Sequence, residues 1–489
     1  MTPPQPPASQ PAPEQHQASR LKAHHPTGRC PFDHGDLGFL HTERRRREGL
    51  PEPASTRPVR LLRRHGGVGA VVTANTGFFR EQEAPAVLKH GILRRYPVVF
   101  ASAAGGNASR VVLLDGYAGR GKYEDGSPGS PMLLLGAASK TGSFRTVECV
   151  FVERDRANFT VLSEVVQSHG AGLSCCALQG DLSSHLASIL TSASDAALFA
   201  FLDPFGTALN YDELTKQILG RPTRPPTEVL LHLSVNAIRR ISGLLRARRE
   251  ELSDAERKTI ERVDRFLGGE WWQPIALEAN DEPGVATKIA ERVVQEYCRR
   301  VGTDTASGSF AFPVRDRPGL APEYFLVLFT RHPYAIWRFN DALSLANVEW
   351  QEAWRGKANA KEAAKVAAKV AKQRAVEAEQ GLMYLFDDFE VASAAPVAVT
   401  HEPFDEAAEA VRWVAVIKQN LTVLFRKGVP FKLMNNTGAV YGEVLGEARE
   451  KHVAQALKNL HALGISEDTG VGKGIHNRVL RPGQNALTT

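Results

Sequence analysis

Apolar residues along the chain alternate between two spacings. Short, nearly unbroken apolar runs recur at 111–114, 147–152, 174–178, 197–202 and 228–235. Each is too short for a helix and most are rich in β-branched or aromatic side chains, the pattern of strands buried on both faces. Between them lie helical segments such as 156–169. Four or five such alternations predict an α/β fold with an open, mostly parallel sheet and helices on both faces. The strand ends carry acids. The first run ends on Asp115, with Gly116, Gly119 and Gly121 following and the helical run 132–138 after them. The second ends on Glu153, and Asp181 follows the third. The fourth leads into Asp203-Pro204-Phe205-Gly206. In an open parallel sheet these ends face one crevice.

The pattern on either side predicts the rest. Residues 84–100 read as a helix before the first strand. Residues 236–305 read as a helical insertion, with charged amphipathic helices at 253–267 and 284–301, and strands resume at 309–314 and 324–330. A helix at 334–345 closes this domain. Residues 357–379, rich in Ala, Lys, Glu and Val without Gly or Pro, predict a long helix acting as a solvated spacer. From about Pro403 a smaller domain begins. It has helices at 406–426, after Thr437 and at 448–463, then a glycine-rich loop at 466–477 and a short strand at 478–481. Helices followed by a β-ribbon fit a winged helix, a module that binds DNA or partner proteins. The resulting division is a basic extension (1–75), an α/β domain (76–355), a helical linker (356–402) and a winged-helix-like domain (403–489).

Charge adds one asymmetry. The 489 residues carry a net charge of +6, but 16 basic against 8 acidic residues lie within 1–110, leaving the remainder close to neutral. A basic front end, with four arginines at 44–47, suggests a polyanion such as nucleic acid or simply a solvated tail. His24, His25, Cys30, His34 and His41 cluster in the same region, but their spacing is loose for zinc and no metal site is assigned. Five scattered cysteines, no signal-peptide core and no apolar run long enough to cross a bilayer imply reduced thiols, a cytoplasmic protein and no membrane.

The loop after Asp115 could take three ligands. Gly116 to Lys122 matches a P-loop as far as its lysine, but Tyr123 stands where a short hydroxyl should bind Mg²⁺. The glycine spacing is not that of the dinucleotide fingerprint. An acid followed by close glycines suits S-adenosylmethionine best, with Asp115, Gly116, Tyr117, Gly119 and Gly121 forming its loop. Glu153 would accept both ribose hydroxyl protons and Asp181 the adenine amino group. Asp203-Pro204-Phe205 stands where amino-group methyltransferases carry Asp/Asn-Pro-Pro-Tyr/Phe. Asp203 and the Pro204 carbonyl would orient an amine, and Phe205 would stack on an unstacked base. Gly206 replaces the usual aromatic.

Lys89-His90-x-Ile92-Leu93-x-x-Tyr96, Asp115 to Tyr123, Gly129-Ser130-Pro131, Phe151-Val152-Glu153 and Phe201 to Gly206 together resemble the three-Cys-motif partner proteins (TcmP) over roughly 78–480. The resemblance implies a Rossmann-like class I methyltransferase sheet and a partner carrying a three-cysteine motif, of the iron–sulfur radical-S-adenosylmethionine type. Arg120 departs from the proline expected in the loop. The expected function is S-adenosylmethionine-dependent methylation of an amine in nucleic acid. A non-catalytic adaptor that docks the three-Cys protein and binds DNA through the winged helix is the alternative.

Overall fold

The computed structural model describes residues 84–104, 108–204, 206–247, 252–278, 284–379 and 401–487. The basic extension, its histidines and Cys30, and Phe205 lie outside the described residues.

The chain opens with α1 (Ala84–Leu93) and α2 (Tyr96–Ala104) where one helix is expected. The break falls at Arg94-Arg95; Pro97 has no N–H to give the Leu93 carbonyl, and its ring would clash with that carbonyl in a continuous helix. The freed end of α1 is closed by Arg95, whose guanidinium donates to the Gly91 carbonyl at 2.9 Å.

The α/β alternation follows as β1 (Arg110–Asp115), α3 (Ser130–Thr141), β2 (Thr146–Glu153), α4 (Arg156–His169), β3 (Ser174–Gln179), α5 (Leu182–Ser192), β4 (Ala197–Leu202) and β5 (Thr227–Ser234). The strands lie within a residue or so of the apolar runs; β1, β2, β4 and β5 are buried on both faces, which shows itself as a continuous apolar stretch, while the edge strand β3 is only partly buried. After β5 come α6 (Val235–Ala247), α7 (Asp254–Leu267), α8 (Trp272–Leu277) and α9 (Val285–Thr305), then β6 (Gly308–Val314) and β7 (Tyr324–Thr330). Helix α7 starts at a reciprocal capping box between Ser253 and Glu256, which satisfies two of its free N–H groups.

The seven strands form one mixed, mostly parallel sheet in the order β3-β2-β1-β4-β5-β7-β6. Strand β7 is antiparallel to both neighbours. The first five positions follow the doubly wound order, and the antiparallel strand between β5 and β6 sets the sheet apart from a dinucleotide-binding one.

The two helices expected at 334–345 and 357–379 are one continuous 47-residue helix, α10 (Pro333–Glu379). The C-terminal region holds α11 (Glu406–Phe425), β8 (Phe431–Lys432), α12 (Thr437–Tyr441), α13 (Glu450–Ala462) and β9 (Val479–Leu480). Its only ladder among the described residues is the two-residue pairing of β8 with β9, extended by a bridge from Ser466 to Pro482. This region packs on α10. Asn340 donates to the Ala448 carbonyl at 2.9 Å and accepts from the Gly446 amide at 2.7 Å. Trp337 of α10 lies in the small region's own core.

Among the described residues no helix is long and apolar enough to cross a membrane. Cys149, Cys175 and Cys298 are free thiols.

Candidate functional site

The glycine bend lies at the carboxyl end of β1. Asp115 is fully buried. Its Oδ1 accepts from the Tyr117 amide at 3.2 Å, while Oδ2 has no hydrogen-bond partner. Burial pushes its carboxyl up to about 7, against the opposing pull of the Ser130 hydroxyl and the Tyr117 amide. Gly116 packs closely: a Cβ there would lie 2.8 Å from Leu202 Cδ2 and 3.0 Å from Leu182 Cδ2, so those leucine methyls would have to shift. Gly119 and Gly121 have φ of +60° and +79°, a region that L side chains adopt at a cost. Lys122 is exposed and Tyr123 buried, the reverse of a loop that cradles phosphate and closes on its lysine.

Strands β2 and β3 bring their ends to the same bend. Glu153 is buried; its Oε2 accepts from the Gly119 amide at 2.8 Å and its Oε1 from the Asp155 amide at 2.6 Å. These bonds fill two of the carboxylate's four acceptor positions. Burial raises its pKa despite them. The Gly180 amide donates to the Glu153 carbonyl at 3.0 Å, so Asp181, the next residue, starts α5 beside the bend. Asp181 is exposed, with Oδ1 3.6 Å from an Arg154 guanidinium nitrogen. Asp115, Tyr117, Gly119, Gly121, Glu153 and Asp181 are therefore brought together.

A second cluster fills the crevice at the end of β4. The register sets Leu202 opposite Leu231, which places Asp203 beside His232 of β5. Asp203 Oδ2 pairs with Lys89 Nζ of α1 at 2.7 Å, and Oδ1 lies 3.1 Å from His232 Nδ1. The His232 N–H points off the line to that oxygen, so the contact is an ion-pair distance rather than an aligned hydrogen bond. Burial alone would raise the Asp203 carboxyl; the His232 and Lys89 charges outweigh it and hold it at about 2. His232 itself lies below its ordinary value, lowered first by burial and also by Lys89 against the pull of Asp203. With the imidazole neutral at pH 7, the standing countercharge to Asp203 is Lys89. Burial would lower Lys89, but the Asp203 carboxylate and then Tyr123 raise it on balance.

Two rings complete the wall. Tyr324 of β7 packs on His232 with centroids 4.1 Å apart, and its hydroxyl donates to the Pro85 carbonyl at 2.7 Å. Tyr123 packs edge-on to His90, whose pKa falls to about 3 through burial and then the Lys89 charge. Pro204 is buried, and Gly206 has φ +70°.

The site reading of the sequence included Asp203 and missed Lys89, His232 and Tyr324. The first two left a trace, because each is a polar residue inside an apolar run, Lys89 in APAVLKHGIL and His232 in TEVLLHLS. Among the described residues no group of three or more His, Cys, Asp or Glu could hold a metal ion.

No protein-family model matches the sequence, and a search of curated proteins returns no match. Among solved structures, cofactor-bound Rv0187 from MTB is 15% identical at a TM-score of 0.26, with 50% of this chain and 88% of that chain covered. The cyclopropane synthase MmaA2 from Mycobacterium tuberculosis is 12% identical at 0.22, covering 48% and 81%. A geranyl diphosphate methyltransferase in complex with SAM is 10% identical at 0.21, covering 48% and 82%. Scores this low assign neither fold nor chemistry, which rest on the chain's own strands and side chains.

Proposed function

We propose that the chain is an S-adenosylmethionine-dependent methyltransferase whose acceptor is an amine of nucleic acid. The observation that carries this reading is the convergence of Glu153 and the Asp181 turn on the Gly119 bend, with the orphaned Oδ2 of Asp115 beneath it. The residues present fit the cofactor. The turn from Asp115 through Gly116, Tyr117, Gly119 and Gly121 would line its amino-acid part. Glu153 retains acceptor positions for a ribose diol, and exposed Asp181 can meet an adenine amino group. When bound, the cofactor supplies a methyl group on a positively charged sulfur. Asp203 and Pro204 stand at the acceptor side, and most of the catalysis is positioning. The expected partner, a protein with a three-cysteine motif, rests on the sequence resemblance alone.

Isothermal titration with S-adenosylmethionine tests the pocket. Binding should be measurable in the full chain and weakened in Asp115→Ala. Absence of heat in the wild type, or equal affinity in the variant, removes the proposal.

The alternative, an adaptor reading DNA through its winged helix, meets a structural obstacle. Recognition helices read bases with their N-terminal residues. The N-terminus of α13 is turned onto α10. The Glu450 amide donates to Asp341 Oδ1 at 2.9 Å, and the Glu450 carboxylate takes the Trp337 indole at 2.9 Å and Arg338 at 3.1 Å.

A further inference from the structure

His232 interrupts the apolar core of β5, and the fold fixes its ring from two sides. Asp203 faces Nδ1 at 3.1 Å, and the Tyr324 ring covers one face. Among the described residues nothing hydrogen-bonds the other ring nitrogen, Nε2. The side chain is 17% exposed, so the ring is not sealed inside the sheet.

Asp203, by contrast, is paired with Lys89 at Oδ2, and its Oδ1 faces His232 Nδ1 at 3.1 Å without an aligned hydrogen bond. Held at about 2, this carboxylate is a far weaker base toward an incoming N–H than a neutral imidazole is. With its proton on Nδ1, the nitrogen that lies 3.1 Å from Asp203 without an aligned hydrogen bond, a neutral imidazole presents an acceptor lone pair at Nε2. A base whose second nitrogen is oriented by a carboxylate is a recurrent catalytic arrangement. Such contacts are often poorly aligned before substrate binds.

We propose that His232 is the general base of the acceptor site, with Asp203 as its positioning residue and Lys89 as the buried charge that keeps Asp203 ionised. The acceptor is then a group whose attacking atom carries a dissociable proton, an N–H or an O–H. This rests on the methyltransferase reading above. For an amine, the nitrogen lone pair forms the new bond to the methyl carbon. The carbon–sulfur bond breaks and its electron pair stays on sulfur. One N–H proton passes to His232 Nε2. The other groups around the ring are accounted for. Lys89 and His90 come from α1, Tyr123 from the loop after β1, Asp115 from β1 and Tyr324 from β7. Burial first and the Lys89 charge after it lower the ring's pKa, against the pull of Asp203.

Diethyl pyrocarbonate acylates neutral imidazole, and mass spectrometry reads the product site by site. In the full-length wild type at pH 7, His232 should be carbethoxylated, several-fold faster than in Asp203→Asn. S-Adenosylhomocysteine titrated calorimetrically should bind wild type, His232→Asn and His232→Gln within about twofold of one another. Methyl-tritium transfer from S-adenosylmethionine to bulk cellular RNA and DNA should fall by about 10²–10⁴-fold in both variants, with loss of the acid limb of the pH–rate profile. A His232 that stays unlabelled in the wild type overturns the proposal, whatever the cofactor does, and that arm needs no variant to fold. Labelling unchanged in Asp203→Asn, or variants that transfer methyl at the wild-type rate, also overturn it. Absence of S-adenosylhomocysteine binding overturns the cofactor reading instead. Binding without transfer to any nucleic acid overturns the nucleic-acid acceptor, and the labelling comparison still decides the base.

Discussion

Asp115 holds an oxygen that meets no partner inside the sheet, and its proton uptake is visible without any ligand. Its carboxyl sits at about 7 in the folded chain, against an unfolded value near 3.9. Between those values the native state keeps a proton that the unfolded state has released. Stability contributed here is present below about pH 4 and is lost as pH rises toward 7. Asp115→Asn keeps the shape and removes the titration. In urea denaturation it should match wild type near pH 4 and exceed it at pH 8 by an amount on the order of a few kcal/mol. An equal difference at both pH values would disprove the assignment. This acid was legible in the sequence because it ends an apolar run before glycines. Lys89 was legible in the Lys89-His90 motif but not as a partner of Asp203, and His232 only as an irregularity. Periodicity places a residue on a strand or helix, but it does not say that α1 folds back over the end of β4. The pairing of Lys89 with Asp203 spans 114 positions and arises only from that crossing.

Helix α1 reaches its place because Gly91 permits it. A Cβ there would come 2.6 Å from Ala346 Cβ and 2.9 Å from a Glu349 carboxylate oxygen on α10. Arg94 and Arg95 bind the same Glu349 carboxylate at 2.5 Å each. Gly91→Ala should push the helices apart at a cost of about 1–3 kcal/mol, read as a lower urea midpoint with unchanged slope. Two residues away, Lys89 would shift with it, so His232 labelling should change in the same variant. No loss of stability would mean that α10 gives way freely. At the other end of the chain, helix order was legible but docking was not. The apolar spacing of α13 says which face is buried, not that its first turn points at α10. If nucleic acid contacts this region, the exposed loop residues Lys473 and Arg481 are better placed than the first turn of α13. Charge reversal at both should weaken binding of a labelled duplex and lower the salt slope by about 2. Unchanged affinity would take nucleic acid away from this module.

Across the whole molecule, α10 belongs to two cores at once. Phe339, Ala342, Leu343 and Ala346 pack into the core beneath the sheet, which also holds Ile92 of α1 and Phe199 of β4. Trp337, on the same helix, packs among Trp413, Leu433 and Leu460 of the C-terminal region, and its indole N–H donates to Glu450 at 2.9 Å. A rigid helix shared by two hydrophobic clusters joins their unfolding, since neither can lose the helix while the other keeps it. The described residues should therefore unfold as one cooperative unit, with far-ultraviolet circular dichroism and tryptophan fluorescence giving one midpoint. Trp337→Ala empties a fully buried site and leaves the Glu450 carboxylate with one donor fewer. It should cost about 3–5 kcal/mol, and the cost should fall on the C-terminal region alone. The expected result is two separated transitions, the C-terminal one at lower denaturant, while the Asp115 pH dependence stays attached to the sheet transition. A single transition shifted as a whole would show that the polar contacts from Asn340 and Asp341 hold the two cores together without the tryptophan.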